Sequence, residues 1–422
     1  MQPLLLSIAS ILILVSCTQF VATGLSVGRR NVRLRTSRNR TMKNLRNAAK
    51  IARLKSEIRS TPGKQSAMDW RVMEVSKIEQ ESADAKSFYF VDPYRQPLPE
   101  FRPGQYLMVR PALAGSYQTM RCYSLSAAPN QDFWRITVKR QESETPLYSR
   151  SNHGGLSAWL HDNINTGDCL LIGGPSGHFF LPAEDDTPLV LLAAGVGITP
   201  MSSMLQWSTE HTPDRPVVLL YQTRDVDHWP LGPEVHAYQS SNAKCCVVSY
   251  MSRADAATMA KLSVEHAGHF QPGRIAVSEA VAAIQSPKAN YYMCGPDAWM
   301  EAMRAELSAA GVAQERVHWE SFGSGKEATL GSVRETSGAC QVRFASSEID
   351  AHWENPETSL WELAKENDVA IPSGCLSGVC GSCRVKLLKG TVTYDRKINI
   401  ELGVDECLAC IAHPETDITI DA

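Results

Sequence analysis

Charge is missing from the first 28 residues, which hold no Asp, Glu, Lys or Arg. A run such as Leu4–Val27 is poor solvated surface and is long enough to span a bilayer, so residues 1–28 are read as a transmembrane helix. Aromatics are missing from residues 29–64, which carry thirteen Lys or Arg against one acid, Glu57. Without aromatics to stack on bases, this basic stretch argues against nucleic acid as a partner. By the positive-inside rule it predicts a single-pass membrane-anchored chain whose remaining domains are cytoplasmic. A helix over 42–58 lying on anionic lipid fits the same pattern. Three other readings compete: a signal peptide, which normally has its positive charges before the apolar run; a lipoprotein box at Leu14–Cys17; and a gene start set too early. The eight cysteines outside the C-terminal group show no disulfide-framework spacing, which suits a reducing compartment. There is no internal repeat, and no acid–base dyad or nucleophile stands out.

The 422 residues are 43% hydrophobic and 21% charged with a net charge of −3, enough for two or three domains with sizeable cores. Cys375, Cys380 and Cys383 have the spacing C-x4-C-x2-C, and Cys410 follows about one small sheet later. This is the plant-type ligand pattern of a 2Fe–2S cluster. Between Pro372 and Cys383 lie three glycines and three serines, which let the backbone curl and aim N–H groups at the sulfurs. A structural zinc site is the rival, although zinc ligands more often come as two separated C-x2-C pairs. A one-electron centre also requires a source of electrons elsewhere in the chain.

Composition becomes globular at Met68. Residues 68–183 read as short alternating strands broken by Pro, Gly and Asn, predicting a small antiparallel barrel. Residues 184–325 alternate apolar strands with helical stretches, predicting a parallel α/β sheet. Residues 29–67 and the Gly/Ser-rich 326–338 read as linkers. Residues 339–422 close the chain in a β-grasp-like order: a strand at Cys340–Phe344, a capping box at Ser359–Glu362, the cysteine loop, then two more strands.

Four motifs lie between. Arg121-Cys122-Tyr123-Ser124 suits a flavin: Arg121 can fork onto a phosphate, Tyr123 can stack on the ring, and Ser124 can sit near N5. Gly154-Gly155-Leu156-Ser157 opens a helix and can present N–H groups to an anion. The apolar run Leu189–Ala194 leads into Gly195-Val196-Gly197-Ile198-Thr199-Pro200, where Thr199 can cap and Pro200 fits the first helical position. The glycines admit a dinucleotide phosphate, although this is not G-x-G-x-x-G. Cys294-Gly295-Pro296 ends a second predicted strand where a ligand should lie.

In this order the motifs resemble the ferredoxin–NADP+ reductase-like flavoproteins over about 68–325, fused to a plant-type ferredoxin over 339–422. The order matches the reductase of hybrid-cluster protein and the reductase components of Rieske oxygenases, demethylases and desaturases. The resemblance implies that Arg121, Tyr123 and Ser124 hold the flavin and that Gly155 and Ser157 hold its pyrophosphate. It implies that Gly195, Gly197, Thr199 and Gly295 bind the nicotinamide nucleotide, with Cys294 beside its ring. Phe322 resembles the aromatic that covers the flavin, and Ser124 and Cys294 neighbour the reacting atoms. Gly173–Phe179 looks like the FAD-type members. Asp225 and Asp227 beyond the second nucleotide strand favour NADH, since carboxylates repel a phosphate, whereas Ser252-Arg253 resembles NADPH users. The expected function passes electrons from NADH through FAD and a 2Fe–2S cluster (Cys375, Cys380, Cys383, Cys410) to an acceptor redox protein, first of all hybrid-cluster protein. A non-catalytic membrane adaptor with zinc in the cysteine loop is the alternative of another class.

Overall fold

The computed structural model describes residues 49, 51–54, 56, 70–111, 120–129, 131–141, 155–182, 184–266, 269–284, 286, 288–322, 339–371, 376, 378, 381–394, 398 and 402–422. The chain forms two units, Met1–Ser60 and Thr61–Ala422. In the first, residues 49, 51–54 and 56 are helical, within the helix expected over 42–58. The expected transmembrane helix and the membrane-anchored location derived from it need correction. Among the described residues no helix is long and apolar enough to cross a membrane. A span needs about twenty continuous residues whose backbone groups bond one another inside a helix. Absence of charge alone does not supply that, and residues 1–28 lie outside the described residues.

The second unit begins with six antiparallel strands: β1 (Trp70–Ser82), β2 (Ala85–Val91), β3 (Tyr106–Arg110), β4 (Arg121–Ser124), β5 (Trp134–Lys139) and β6 (Cys169–Ser176). Their order is β4-β3-β6-β1-β2-β5. The two edges meet through a bridge between Leu125 and Ile136, which closes the sheet into a barrel and removes its open edges. Register shifts in β1, between Val75 and Lys77 and between Gln80 and Ser82, let this long strand bend around the barrel. Met73, Val75, Phe88, Phe90, Leu107 and Trp134 fill the interior. The helix Leu156–Asn163 adds Leu156 and Leu160 to that core.

A second sheet is wholly parallel and holds β7 (Leu189–Ala194), β8 (Val217–Thr223), β9 (Cys245–Met251), β10 (His269–Pro272), β11 (Asn290–Gly295) and β12 (Val317–Ser321). Every residue of β7 is buried, as expected for a continuous apolar run at the centre of a sheet covered on both faces. One face packs on Met201, Met204 and Leu205 of the helix Ile198–His211 and on Val235 of the helix Gly232–Ser241. The other packs on Ala280 of the helix Val277–Ile284 and on Met300, Met303 and Leu307 of the helix Asp297–Ala309. The strand order β10-β9-β8-β7-β11-β12 reverses between β7 and β11. Such a switch point opens a crevice at the carboxyl ends of the strands.

The C-terminal sheet has the order β14-β13-β19-β15-β17, from β13 (Cys340–Phe344), β14 (Ile349–Trp353), β15 (Arg384–Lys389), β17 (Glu406–Leu408) and β19 (Ile418–Asp421). β16 (Val392–Tyr394) and β18 (Ala412–Pro414) pair separately. β13 alternates buried and exposed residues, the period-2 pattern of a half-covered strand. The capping box forms as the sequence predicts. Ser359 accepts from the Glu362 N–H at 3.2 Å, the Glu362 carboxylate accepts from the Ser359 N–H at 2.9 Å, and the helix Leu360–Glu366 follows.

Gly197 shows how tightly the switch point is built. A Cβ there would lie 2.0 Å from the Cys294 carbonyl oxygen and 2.9 Å from the Gly295 nitrogen. Gly197→Ala should therefore force the turn away from β11 and cost about 1–3 kcal/mol of stability, as overpacked cores do. Thermal unfolding checks this; an unchanged Tm would mean that the turn moves freely.

Candidate functional site

β4 carries the arginine–tyrosine–serine motif along the rim of the barrel. Pairing with β3 sets Arg121 opposite Val109 and Tyr123 opposite Leu107, while Cys122 and Ser124 face the other way, opposite Met108 and Tyr106. The three flavin candidates are thus split between two sides of one strand. Arg121 is half-buried, and its Nη1 donates to the Met120 carbonyl at 3.1 Å. Burial lowers its guanidinium pKa, which raises the gain from meeting an anion such as a phosphate. Burial pushes the Tyr123 hydroxyl far above the ordinary phenol value, so it stays protonated. Ser124 points across the interface and donates to the Glu320 carboxylate at 3.1 Å.

That hydrogen bond joins the barrel to the parallel sheet. Glu320 lies on β12, in register with Cys294 of β11, which in turn lies beside Ala193 of β7. Ser124, Glu320 and Cys294 therefore gather at the carboxyl end of the switch point, with Gly197 against the Cys294 backbone. Burial drives the Cys294 thiol pKa well above normal, and Glu320 and Asp297 add to the rise. A neutral buried thiol is a poor nucleophile, so Cys294 can shape the crevice but not attack. Asp297 accepts a hydrogen bond from Ser321. Glu320 was not singled out by sequence reasoning. Its role depends on strand register between distant segments, which a single sequence does not display.

Gly195 has φ +57, and a Cβ placed there would meet nothing within 4 Å, so the turn opens onto free space at its first glycine and closes at its second, Gly197. Thr199 does not cap. Its hydroxyl donates to the Val196 carbonyl at 3.1 Å, the N-cap is Gly197, and Pro200 is the third helical residue. Gly155 adopts φ 89 as N-cap of its helix. The Ser157 hydroxyl accepts from the Gln141 N–H at 3.1 Å, which ties it to the preceding chain. Phe322 follows β12 directly and is 45% exposed. At the far end of β8, Asp225 accepts from His228 through Nδ1 at 2.6 Å and through its backbone N–H at 3.1 Å. Burial alone would raise the Asp225 pKa, but these His228 bonds win and lower it. Ser252 and Arg253 are exposed just beyond β9.

Of the four candidate cluster ligands, Cys375 and Cys380 lie outside the described residues. Cys383 and Cys410 are both buried, and their sulfurs are 3.0 Å apart. That is too far for a disulfide, whose S–S length is about 2.05 Å. The Ala409 N–H donates to the Cys383 carbonyl at 3.1 Å, so backbone bonding draws the two segments together. Leu376, Gly378 and Gly381 all have positive φ, the curled backbone that the glycine-rich loop predicts. Cys407 instead lies on β17 opposite Val385, and burial pushes its thiol pKa to about 12. Among the described residues no group of three or more His, Cys, Asp or Glu comes together to hold a metal.

Comparison with known proteins follows the same divisions. Residues 72–181 match the oxidoreductase FAD-binding domain family, residues 191–305 the oxidoreductase NAD-binding domain family, and residues 342–415 the 2Fe-2S iron-sulfur cluster binding domain family. The chain is 33% identical over 255 residues to a flavohemoprotein of Oceanobacillus iheyensis, covering 60% of this chain and 59% of that protein. It is 36% identical over 258 residues to a flavohemoprotein of Chromobacterium violaceum, covering 60% of this chain and 61% of that one. The chain therefore spans about three-fifths of the length of these curated relatives. Among solved structures, the flavohem-like FAD/NAD-binding domain of nitric oxide dioxygenase from Vibrio cholerae is 29% identical with TM-score 0.52, covering 60% of this chain and 98% of that one. Phthalate dioxygenase reductase is 24% identical with TM-score 0.54 over 84% of this chain and 98% of its own, a likeness of fold. Residues 72–181, 191–305 and 342–415 are thus similar, in that order, to an oxidoreductase FAD-binding domain, an oxidoreductase NAD-binding domain and a 2Fe-2S iron-sulfur cluster binding domain.

Proposed function

We propose that this chain is the reductase of an electron-transfer pair, taking electrons from NADH and delivering them singly to a partner redox protein. The observation that carries the reading is the Ser124–Glu320 hydrogen bond at 3.1 Å, which joins the flavin motif to the nucleotide crevice beside Cys294. The residues fit the groups required. The open space at Gly195 and the closed floor at Gly197 make a cradle for a dinucleotide. Arg121 offers a half-buried cation for a phosphate, with Tyr123 beside it for a ring. Cys383 and Cys410, buried with their sulfurs 3.0 Å apart, suit two thiolates of one iron–sulfur centre. When bound, FAD supplies the conversion of a two-electron hydride donor into the single electrons that a 2Fe–2S cluster accepts.

The chain's own residues do the rest. Arg121 would hold the flavin phosphate and Tyr123 pack on the ring. Gly155 and the N–H groups around Ser157 would meet the pyrophosphate. Gly195, Gly197, Thr199 and Gly295 would seat the nicotinamide nucleotide. Ser124 and the buried thiol of Cys294 would exclude water around the reacting atoms, and Phe322 would cover the ring. Cys375, Cys380, Cys383 and Cys410 would ligate the cluster. The domain limits that follow are 68–183, 184–325 and 339–422, with 326–338 as linker. NADH is favoured over NADPH because Asp225 is held ionised by His228 at the end of β8, where a 2′-phosphate would meet its charge. Hybrid-cluster protein and the oxygenase or desaturase components are the two acceptor classes. The phthalate dioxygenase reductase fold, shared over 84% of this chain, favours giving the oxygenase class equal weight.

Three outcomes test this. Anaerobically purified chain should hold about one FAD, two irons and two acid-labile sulfides; zinc in place of iron, or no extractable flavin, would sink the proposal. Cys380→Ser should lose the cluster's visible and EPR signals while NADH-dependent ferricyanide reduction persists, because a small dye can take electrons from the flavin directly. Cys410→Ala should likewise lose iron whereas Cys407→Ala keeps it, since the Cys410 sulfur lies 3.0 Å from that of Cys383 while Cys407 sits on β17 opposite Val385. Iron loss in Cys407→Ala but not Cys410→Ala would reverse that ligand assignment.

A further inference from the structure

The residues just after the flavin motif are gripped from two sides by the parallel-sheet half. Ser126 pairs with Arg135 of β5: the Ser126 N–H donates to the Arg135 carbonyl at 2.8 Å, and Arg135 Nε donates to Ser126 Oγ at 3.1 Å. Arg135 Nη2 also donates to the Ser126 carbonyl. The same guanidinium reaches Glu234 on the helix Gly232–Ser241 with two bonds, Nη1 to Oε2 at 2.5 Å and Nη2 to Oε1 at 2.7 Å. Tyr238 fixes that carboxylate with a further bond at 3.2 Å. On the other side, Ser203 of the helix Ile198–His211 donates to the Ala127 carbonyl at 2.8 Å, and Gln206 of the same helix accepts from the Ala128 N–H at 2.8 Å.

Three physical points set this grip apart from ordinary surface contact. Arg135 is 4% exposed, so its pair with Glu234 is screened far less than a surface ion pair and has a fixed two-pronged geometry. Burial would lower the guanidinium pKa, but the Glu234 carboxylate outweighs it and holds the charge firmly. The Ser203 and Gln206 bonds end on backbone atoms of Ala127 and Ala128, so they locate the main chain and not a mobile side chain. Gln206 belongs to the helix that begins at the nucleotide crevice, and Ser126 lies two residues beyond Ser124.

We propose that Arg135, Glu234, Ser203 and Gln206 are positioning residues that clamp the Ser126–Ala128 segment and thereby set the angle and distance between the flavin face and the nicotinamide crevice. The inference rests on the electron route proposed above. It adds the residues that hold the two halves in register for hydride transfer. Transfer between two separately held partners is sensitive to this: a misplacement of about 1 Å can cost about a hundredfold in rate. The clamp acts through the backbone, without touching either cofactor.

The test uses the full chain with its flavin and cluster, and NADH as the reductant. Glu234→Gln keeps the side-chain shape and removes the charge; Gln206→Ala releases the opposite side independently. Stopped-flow flavin bleaching should slow about 10–100-fold in each. Flavin content and photoreduced flavin-to-cluster transfer should stay within about twofold of the parent in both, and Tm within a few degrees in Gln206→Ala, whereas Glu234→Gln leaves the buried Arg135 without its carboxylate and should lower Tm further. A weakened long-wavelength charge-transfer band on mixing with NADH and a raised primary deuterium isotope effect would mark altered geometry, which a loss of stability alone does not produce. Bleaching within twofold of the parent in both variants would overturn the clamp. So would loss of flavin from both, because the residues would then be holding the fold and not the alignment. Failure of the parent chain to be bleached by NADH or NADPH would instead overturn the electron route itself.

Discussion

The meeting of the turn at Gly195–Gly197 with the end of β11 is the constraint on which the rest of the crevice depends. Only a hydrogen atom fits between the Gly197 Cα and the Cys294 carbonyl, and this lets the helix Ile198–His211 start directly against the strand that carries Cys294. From that fixed point the other parts fall into place. β12 pairs with β11 and brings Glu320 level with Cys294. Glu320 then reaches Ser124 on the barrel, so the two halves share one seam and not two separate pockets. A larger residue at position 197 would separate all three.

The electrostatics of the seam are those of exclusion. Cys294 is buried and kept protonated, and Tyr123 is kept protonated in the same way. The charges that do persist are structural. The buried Arg135 is neutralised by Glu234, and Asp225 keeps its charge while accepting two hydrogen bonds from His228. Leaving the buried Arg135 unpaired would cost more than its pair contributes.

The N-terminal reading failed for an instructive reason. Hydropathy and charge asymmetry report what a segment tolerates, not whether it forms a continuous helix, and no described helix meets that demand. Local capping signals fared unevenly. Ser359 and Glu362 form their reciprocal bonds because the motif needs only four consecutive residues. Thr199 does not cap, because the three-residue turn Gly195–Gly197 puts it inside the first helical turn, where its hydroxyl finds the Val196 carbonyl. The R-x-Y-S motif was legible as a unit, yet its pleat sends Arg121 and Tyr123 one way and Ser124 the other.

The sequence by itself determined what depends on short spacings and local period: the four-cysteine pattern, the all-buried run of β7, the alternation of β13, and the order of three modules. These are visible because ligand spacing, burial and pleat repeat over a few residues. Only the tertiary structure decided which segments meet. It set Cys410 against Cys383 and placed Cys407 in β17 opposite Val385. It brought Glu320 to Ser124 across 196 positions, and Glu234 to Arg135 across 99. Such contacts depend on the registers of two sheets and on the helices packed between them, and no local pattern encodes a register shared by strands so far apart.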